Sequence, residues 1–140
     1  MSPLMLVQRV DESNAGPPPE PRNFLGRVRM QNLAKEGGAG KLELLAVFFD
    51  AASHTRPHTH PSEQVLHFVQ GRGFVWIAGE EKERIPEGGI VIIPGEVVHM
   101  HGATEDEPIC HIALRAADGP TDWEPKNVPD DWRQYLPAMS

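Results

Sequence analysis

The stretch HTRPHTHPSEQVLHFVQG, residues 54 to 71, puts His54, Arg56, His58, His60 and Gln64 on even-numbered positions, which share one side wherever the chain runs extended. Two imidazoles at i and i+2 on a strand project to the same side, so both rings can reach one metal ion from adjacent rungs. His58 and His60 have this spacing, and so do His99 and His101 farther along. One such pair is often an ordinary surface or interface feature. Two pairs in one small chain point to a metal site. For a further donor in the first segment Glu63 and Gln64 compete; Gln64 is favoured because it keeps the even register of His58 and His60, unless Pro61 forces an irregular step.

Outward from this segment the chain reads as short, apolar, β-prone runs at 26–33, 42–50, 64–69, 73–78, 89–93, 98–101 and 109–115. The breaks KEGGAGK (35–41), QGRG (70–73), AGEE (78–81), PEGG (86–89) and TEDEP (104–108) carry the Gly, Pro and acidic residues of hairpin connections. With 13 glycines and 14 prolines in 140 residues, the composition suits many short strands and tight turns rather than a helical bundle. The pattern predicts an all-β sandwich or barrel.

A chain of this length supports one core, so one domain is expected. The proline-rich NAGPPPEPRN (14–23) separates an N-terminal arm, residues 1–23, from a barrel at 24–116; the arm itself predicts a strand at 4–10. The tail, 117–140, is rich in Pro and Asp but carries Trp123, Trp132 and Tyr135, and is expected to pack on the barrel or on a partner subunit. A formal charge of −7 offers no basic footprint for nucleic acid or an anionic membrane surface. Cys110 is the lone cysteine, so no intrachain disulfide forms, and a buried structural thiol in a reducing cytoplasm is the expectation. The N-terminus has no secretory pattern, and no apolar run approaches a membrane span.

HTHPSEQVLHFVQG resembles the first motif of the cupin superfamily, HxHxxxE followed by Gly, and GGIVIIPGEVVH resembles the second, G-x5-P-x-G-x2-H. The resemblance covers roughly residues 24 to 116 and implies a double-stranded β-helix, or jelly-roll barrel. Two positions depart from it: Gln64 stands where most cupins have Glu, and Glu96 where the second motif has Gly, with Gly95 one place early. Carried over, the motifs imply metal ligands His58, His60, Gln64 and His99. An amide in place of a carboxylate leaves a divalent ion its full charge, which favours polarising a substrate oxygen over activating dioxygen.

HMHGATEDEPICHIAL, with FLGRVRM before the barrel and DWEP after it, is similar to small bacterial monocupins that include manganese-dependent hydroxynitrile lyases. That resemblance implies a His, His, Gln, His ligand set and His111 as general base, with manganese favoured among Mn, Fe, Co, Ni and Zn. An imidazole is in any case the natural proton shuttle near neutrality. His101 is expected to line the pocket or to hydrogen-bond a ligand. Arg56 is read either as an anchor for a substrate carboxylate or as a surface salt-bridge partner. Arg115 shares the register of His111, and Leu45, Val47, Phe49, Leu66, Phe68, Trp76 and Ile92 are candidates for an apolar pocket lining. His54 is unassigned, and the odd parity of His67 turns it away. The expected function is therefore a metal-dependent lyase on a small hydroxy or carbonyl compound, with dioxygenase, isomerase, polyketide cyclase or non-catalytic ligand binding as alternatives. A homodimer that exchanges its N-terminal arm is expected.

Overall fold

The computed structural model describes residues 7–34 and 40–137. Among these, ten strands form: β1 Phe24–Leu25, β2 Val28–Asn32, β3 Leu42–Phe49, β4 His54–Thr55, β5 Gln64–Gln70, β6 Gly73–Ile77, β7 Glu83–Ile85, β8 Ile90–Ile93, β9 His99–Ala103 and β10 Ile109–Ala116. They make two five-stranded sheets, in the orders β1-β4-β9-β6-β7 and β2-β3-β10-β5-β8. Neighbours pair antiparallel throughout, and the result is a jelly-roll barrel. No helix among the described residues is long and apolar enough to cross a membrane.

Strict alternation decides what each strand buries. On β3, Leu45, Val47 and Phe49 stand opposite Ala113, His111 and Ile109 of β10. Leu66 and Phe68 of β5 continue that face, and these side chains fill the barrel with Val28, Val75, Ile93 and Ala103. The intervening residues Ala46, Cys110 and Ile112 form a smaller cluster with Leu33 outside the sheet. On the other sheet Phe74, Trp76 and Met100 face outward and are covered by Trp132 and Tyr135 of a 3-10 helix, Asp130–Tyr135.

Several sequence expectations change. The run at 26–33 is two strands: Gly26 turns at φ 85, where an added Cβ would collide with Ser53, so β1 and β2 pass into different sheets. Residues 7–10 are not a strand, and the rest of the one expected at 4–10 lies outside the described residues, as does most of the KEGGAGK turn. Trp76 belongs to the outer cluster and Ile92 is 64% exposed on the outer face of β8, so neither lines the interior.

The single even-numbered face at 54–64 does not form either. Regular strand ends at Thr55 and the chain bends at Pro57, which resets the parity. The ring of His54 lies against Phe74 and Tyr135 on the outside, at 5.7 and 5.6 Å between centroids. Arg56 donates to the carbonyls of Arg22 (2.7 Å) and Tyr135 (2.9 Å), so it clasps the C-terminal tail. His58 and His60 turn inward.

Candidate metal centre

Two segments far apart in sequence meet at one end of the barrel. His58 and His99 exchange backbone hydrogen bonds of 3.1 and 3.0 Å, and the Glu96 N–H donates to the His60 carbonyl at 2.7 Å. Gly95 permits the approach: a Cβ there would lie 2.8 Å from Ser62 Cα and 2.9 Å from the Pro61 carbonyl oxygen. Three buried imidazoles, His58, His60 and His99, converge with one nitrogen of each within 4.8 Å of the others, a group that can hold a metal ion.

The outer nitrogen of every ring is occupied. Nδ1 of His58 bonds the Arg56 carbonyl at 2.8 Å, Nδ1 of His99 the Val97 carbonyl at 2.9 Å, and Nδ1 of His60 lies 3.0 Å from Oγ1 of Thr121. With Nδ1–H donating outward, Nε2 carries the lone pair a metal needs. Nε2 of His60 and of His99 and Oε1 of Gln64 are buried with no hydrogen-bond partner. A partnerless polar atom in a core is costly, and these converge on the histidine cluster or flank it, so the donor set fits a divalent transition metal.

Burial keeps the rings neutral. His60 is pushed down to about 3 by burial, aided by the neighbouring His99 and Arg115, and His99 to about 4 by burial. His58 is held well below the usual imidazole range by burial and then by His99 and His60. Neutral imidazole is the form that coordinates a metal.

Deeper in the barrel a second imidazole pair spans the sheets. His101 on β9 and His111 on β10 meet at 2.9 Å, Nδ1 to Nε2. Both are buried, at 4% and 0% exposure, and His101 Nε2 and His111 Nδ1 have no other partner. His111 is wedged between Phe49 and Phe68, 5.1 and 5.3 Å from their centroids, and Val47 is its cross-strand neighbour. The β10–β5 register shifts between Cys110 and His111, an irregularity of the kind that re-aims side chains. Burial lowers His111 to about 4 and holds His101 well below the usual imidazole range, with His111 the next cause for His101 after burial. The His101 ring lies 5.3 Å from His58 and 5.7 Å from His99, between the three-histidine cluster and His111.

Beside the centre a cleft of ≈ 770 Å³ opens between the prolines at 17–19 and the tail, with Phe24, Leu45, Thr121 and Trp123 in its walls. Arg115 is at its edge, but its guanidinium is taken: Nε and Nη2 bond Glu43 at 3.2 and 3.1 Å, and Nη1 bonds the carbonyls of Ala116 and Gly119. The tail also brings residues that the spacing rules do not find. Trp123 stacks on His58 at 4.4 Å and 28°. Thr121, already noted against His60, precedes it by two. Trp123 lies in the DWEP stretch that carries the family resemblance and is one of the tail aromatics expected to pack, but nothing local places it on His58, and no local motif marks Thr121. Cys110 is buried, and burial pushes its thiol up to about 12, so it is inert.

Glu96 explains one departure from the motif. It sits at φ 64, the left-handed conformation that glycine adopts freely. For other L-residues this conformation costs about 1–2 kcal/mol. Glu96→Gly is therefore expected to stabilise the protein by about 1 kcal/mol, read as a higher thermal midpoint; a lower midpoint would mean that the carboxylate side chain offsets its own strain.

The fold and site define a small β-barrel protein with a buried histidine centre able to hold one metal ion. Residues 47–114 match the Cupin domain family, and the chain belongs to it. It is 30% identical over 133 residues, 93% of this chain and the whole of the relative, to a protein named (R)-mandelonitrile lyase from Granulicella tundricola. A cupin-like protein from Thermotoga maritima superposes with a TM-score of 0.69 at 30% identity, covering 83% of this chain and 90% of that one. The polyketide cyclase RemF from Streptomyces resistomycificus shares the fold at a TM-score of 0.73 and 17% identity, over 93% and 92% of the two chains.

Proposed function

We propose that the protein is a metal-dependent lyase that cleaves a small hydroxy compound of the cyanohydrin type. One observation carries this reading: three outward-tethered imidazoles and the buried, unpartnered amide oxygen of Gln64 stand beside a second, hydrogen-bonded imidazole pair. His58, His60, Gln64 and His99 would hold the ion, with manganese the expected metal. Bound there, a divalent cation supplies Lewis-acid polarisation of a substrate oxygen and lowers the pKa of a hydroxyl. The chain supplies the proton handling. His101 and His111 are both neutral and share one hydrogen bond, so one outer nitrogen of the pair, Nε2 of His101 or Nδ1 of His111, keeps a free lone pair that takes the substrate's hydroxyl proton as the carbon–carbon bond to cyanide breaks, and returns it to the departing cyanide. Val47, Phe49 and Phe68 keep water from the pair. The name of the Granulicella relative supports this choice of substrate.

The test is direct. Metal-stripped protein reloaded in turn with Mn, Fe, Co, Ni and Zn is given mandelonitrile, and the aldehyde is followed by absorbance. Aldehyde released by at least one loaded form and not by the stripped protein is expected; none from any form sinks the lyase, and saturable binding without product would point to a ligand-binding cupin. We propose further that the protein pairs with a second copy through the outer face of β8 and its neighbour β5, where Ile90 and Ile92 are each 64% exposed and Val69 38%. An exposed apolar sheet face can be buried against its own copy about a two-fold axis, and a monomer mass by light scattering would refute the pairing.

A further inference from the structure

We propose that Thr121, in the C-terminal tail, is a positioning residue of the metal centre, an inference that rests on reading His58, His60 and His99 as ligands. The three rings are not held alike. His58 and His99 each bond, through Nδ1, a backbone carbonyl two residues earlier, Arg56 and Val97. Those tethers are main chain, and no side-chain replacement removes the acceptor. Nδ1 of His60 instead meets a hydroxyl 61 residues away in sequence, Oγ1 of Thr121 at 3.0 Å. That contact leaves Nε2 of His60, buried and without a partner, as the atom facing the centre. One of three ligands is thus aimed by a side chain from outside the barrel strands.

The tail is placed by contacts that do not involve this hydroxyl. Thr59 and Asp122 exchange backbone hydrogen bonds of 3.0 and 2.9 Å. Ser62 Oγ donates to Asp118 at 2.7 Å, Arg115 Nη1 donates to the Gly119 carbonyl at 3.0 Å, and Trp123 stacks on His58. Removing the hydroxyl therefore frees the His60 ring and leaves the tail seated. An imidazole without its outer partner loses both its orientation and its preferred tautomer, and such losses typically weaken metal binding about 10- to 100-fold.

The experiment uses the full chain, stripped of metal and titrated calorimetrically with Mn²⁺, as parent, Thr121→Val and Thr121→Ser. Thr121→Val is expected to weaken binding about 10- to 100-fold at unchanged stoichiometry, and Thr121→Ser, which returns the hydroxyl, to restore parental affinity. Thermal midpoints of the metal-free variants should match the parent's, and the visible spectrum of the Co²⁺ form should change in the valine variant alone. Should valine disturb the packing, Thr121→Ala reads the same loss without adding bulk. Parental affinity in both Thr121→Val and Thr121→Ala overturns the proposal, as does a serine variant that fails to rescue or a metal-free midpoint that falls in step with affinity. A parent that takes up no Mn²⁺, Fe²⁺ or Zn²⁺ overturns the ligand reading itself, and this inference with it.

Discussion

Replacing His111 by alanine is expected to lower turnover of mandelonitrile about 10²- to 10⁴-fold, the range a positioned acid–base group supplies, while metal content stays at the parental level. The expectation follows from where the ring sits. His111 is outside the converging group of His58, His60 and His99, yet it touches that group's neighbour His101 through the 2.9 Å contact. It is fully buried between Phe49 and Phe68 and, at about 4, stays an unprotonated base at neutral pH. Metal analysis and single-turnover rates on the same preparation decide the point. Loss of metal together with activity would make His111 a structural support for the centre rather than the base. His111→Asn keeps polar bulk in the slot and separates missing chemistry from a cavity, which in a core costs about 2–5 kcal/mol for a large side chain cut to alanine.

Removing a ligand should act on the metal instead. His99→Ala and Gln64→Ala are each expected to reduce metal content, and His99→Ala by more than the roughly 10- to 100-fold that loss of an outer partner costs. His99 is 1% exposed and Gln64 5%, so neither is replaced by solvent without opening the site. Elemental analysis of parent and variants reads the effect; full metal in His99→Ala would remove the centre from consideration. The same variant has a signature in acid. In the unfolded chain His99 takes up a proton near 6.5, whereas in the fold burial delays this to about 4. Between those values the unfolded state binds more protons, so the metal-free protein loses stability as pH falls through that window. Without His99 the slope should be shallower by up to about 1.4 kcal/mol per pH unit, measured by denaturant melts at pH 6.5 and below.

The residue order by itself determined the barrel and most of the inward set, because both rest on local periodicity. Leu45, Val47 and Phe49 alternate with outward neighbours, as do Ile109, His111 and Ala113, and a period of two needs no knowledge of the partner strand. The i, i+2 spacing of His58 with His60 and of His99 with His101 is equally local, and the parity argument that preferred Gln64 to Glu63 chose the buried side chain. Parity failed where the chain is not a regular strand. Pro57 bends it, so His54 and Arg56 face the tail instead of the site, while Ile92 and Trp76 fell on the wrong side because their registers depend on neighbours.

Tertiary structure alone decided the distances between elements remote in sequence. The packing of the two sheets brings His101 to His111. The contact of two turns across Gly95 joins the histidine motifs. The return of the tail puts Thr121 on His60 and Trp123 on His58, and a cross-strand pair ties Arg115 to Glu43. A local pattern states which way a side chain points; what it meets there is set by the closure of the barrel, through contacts that no stretch of the sequence contains.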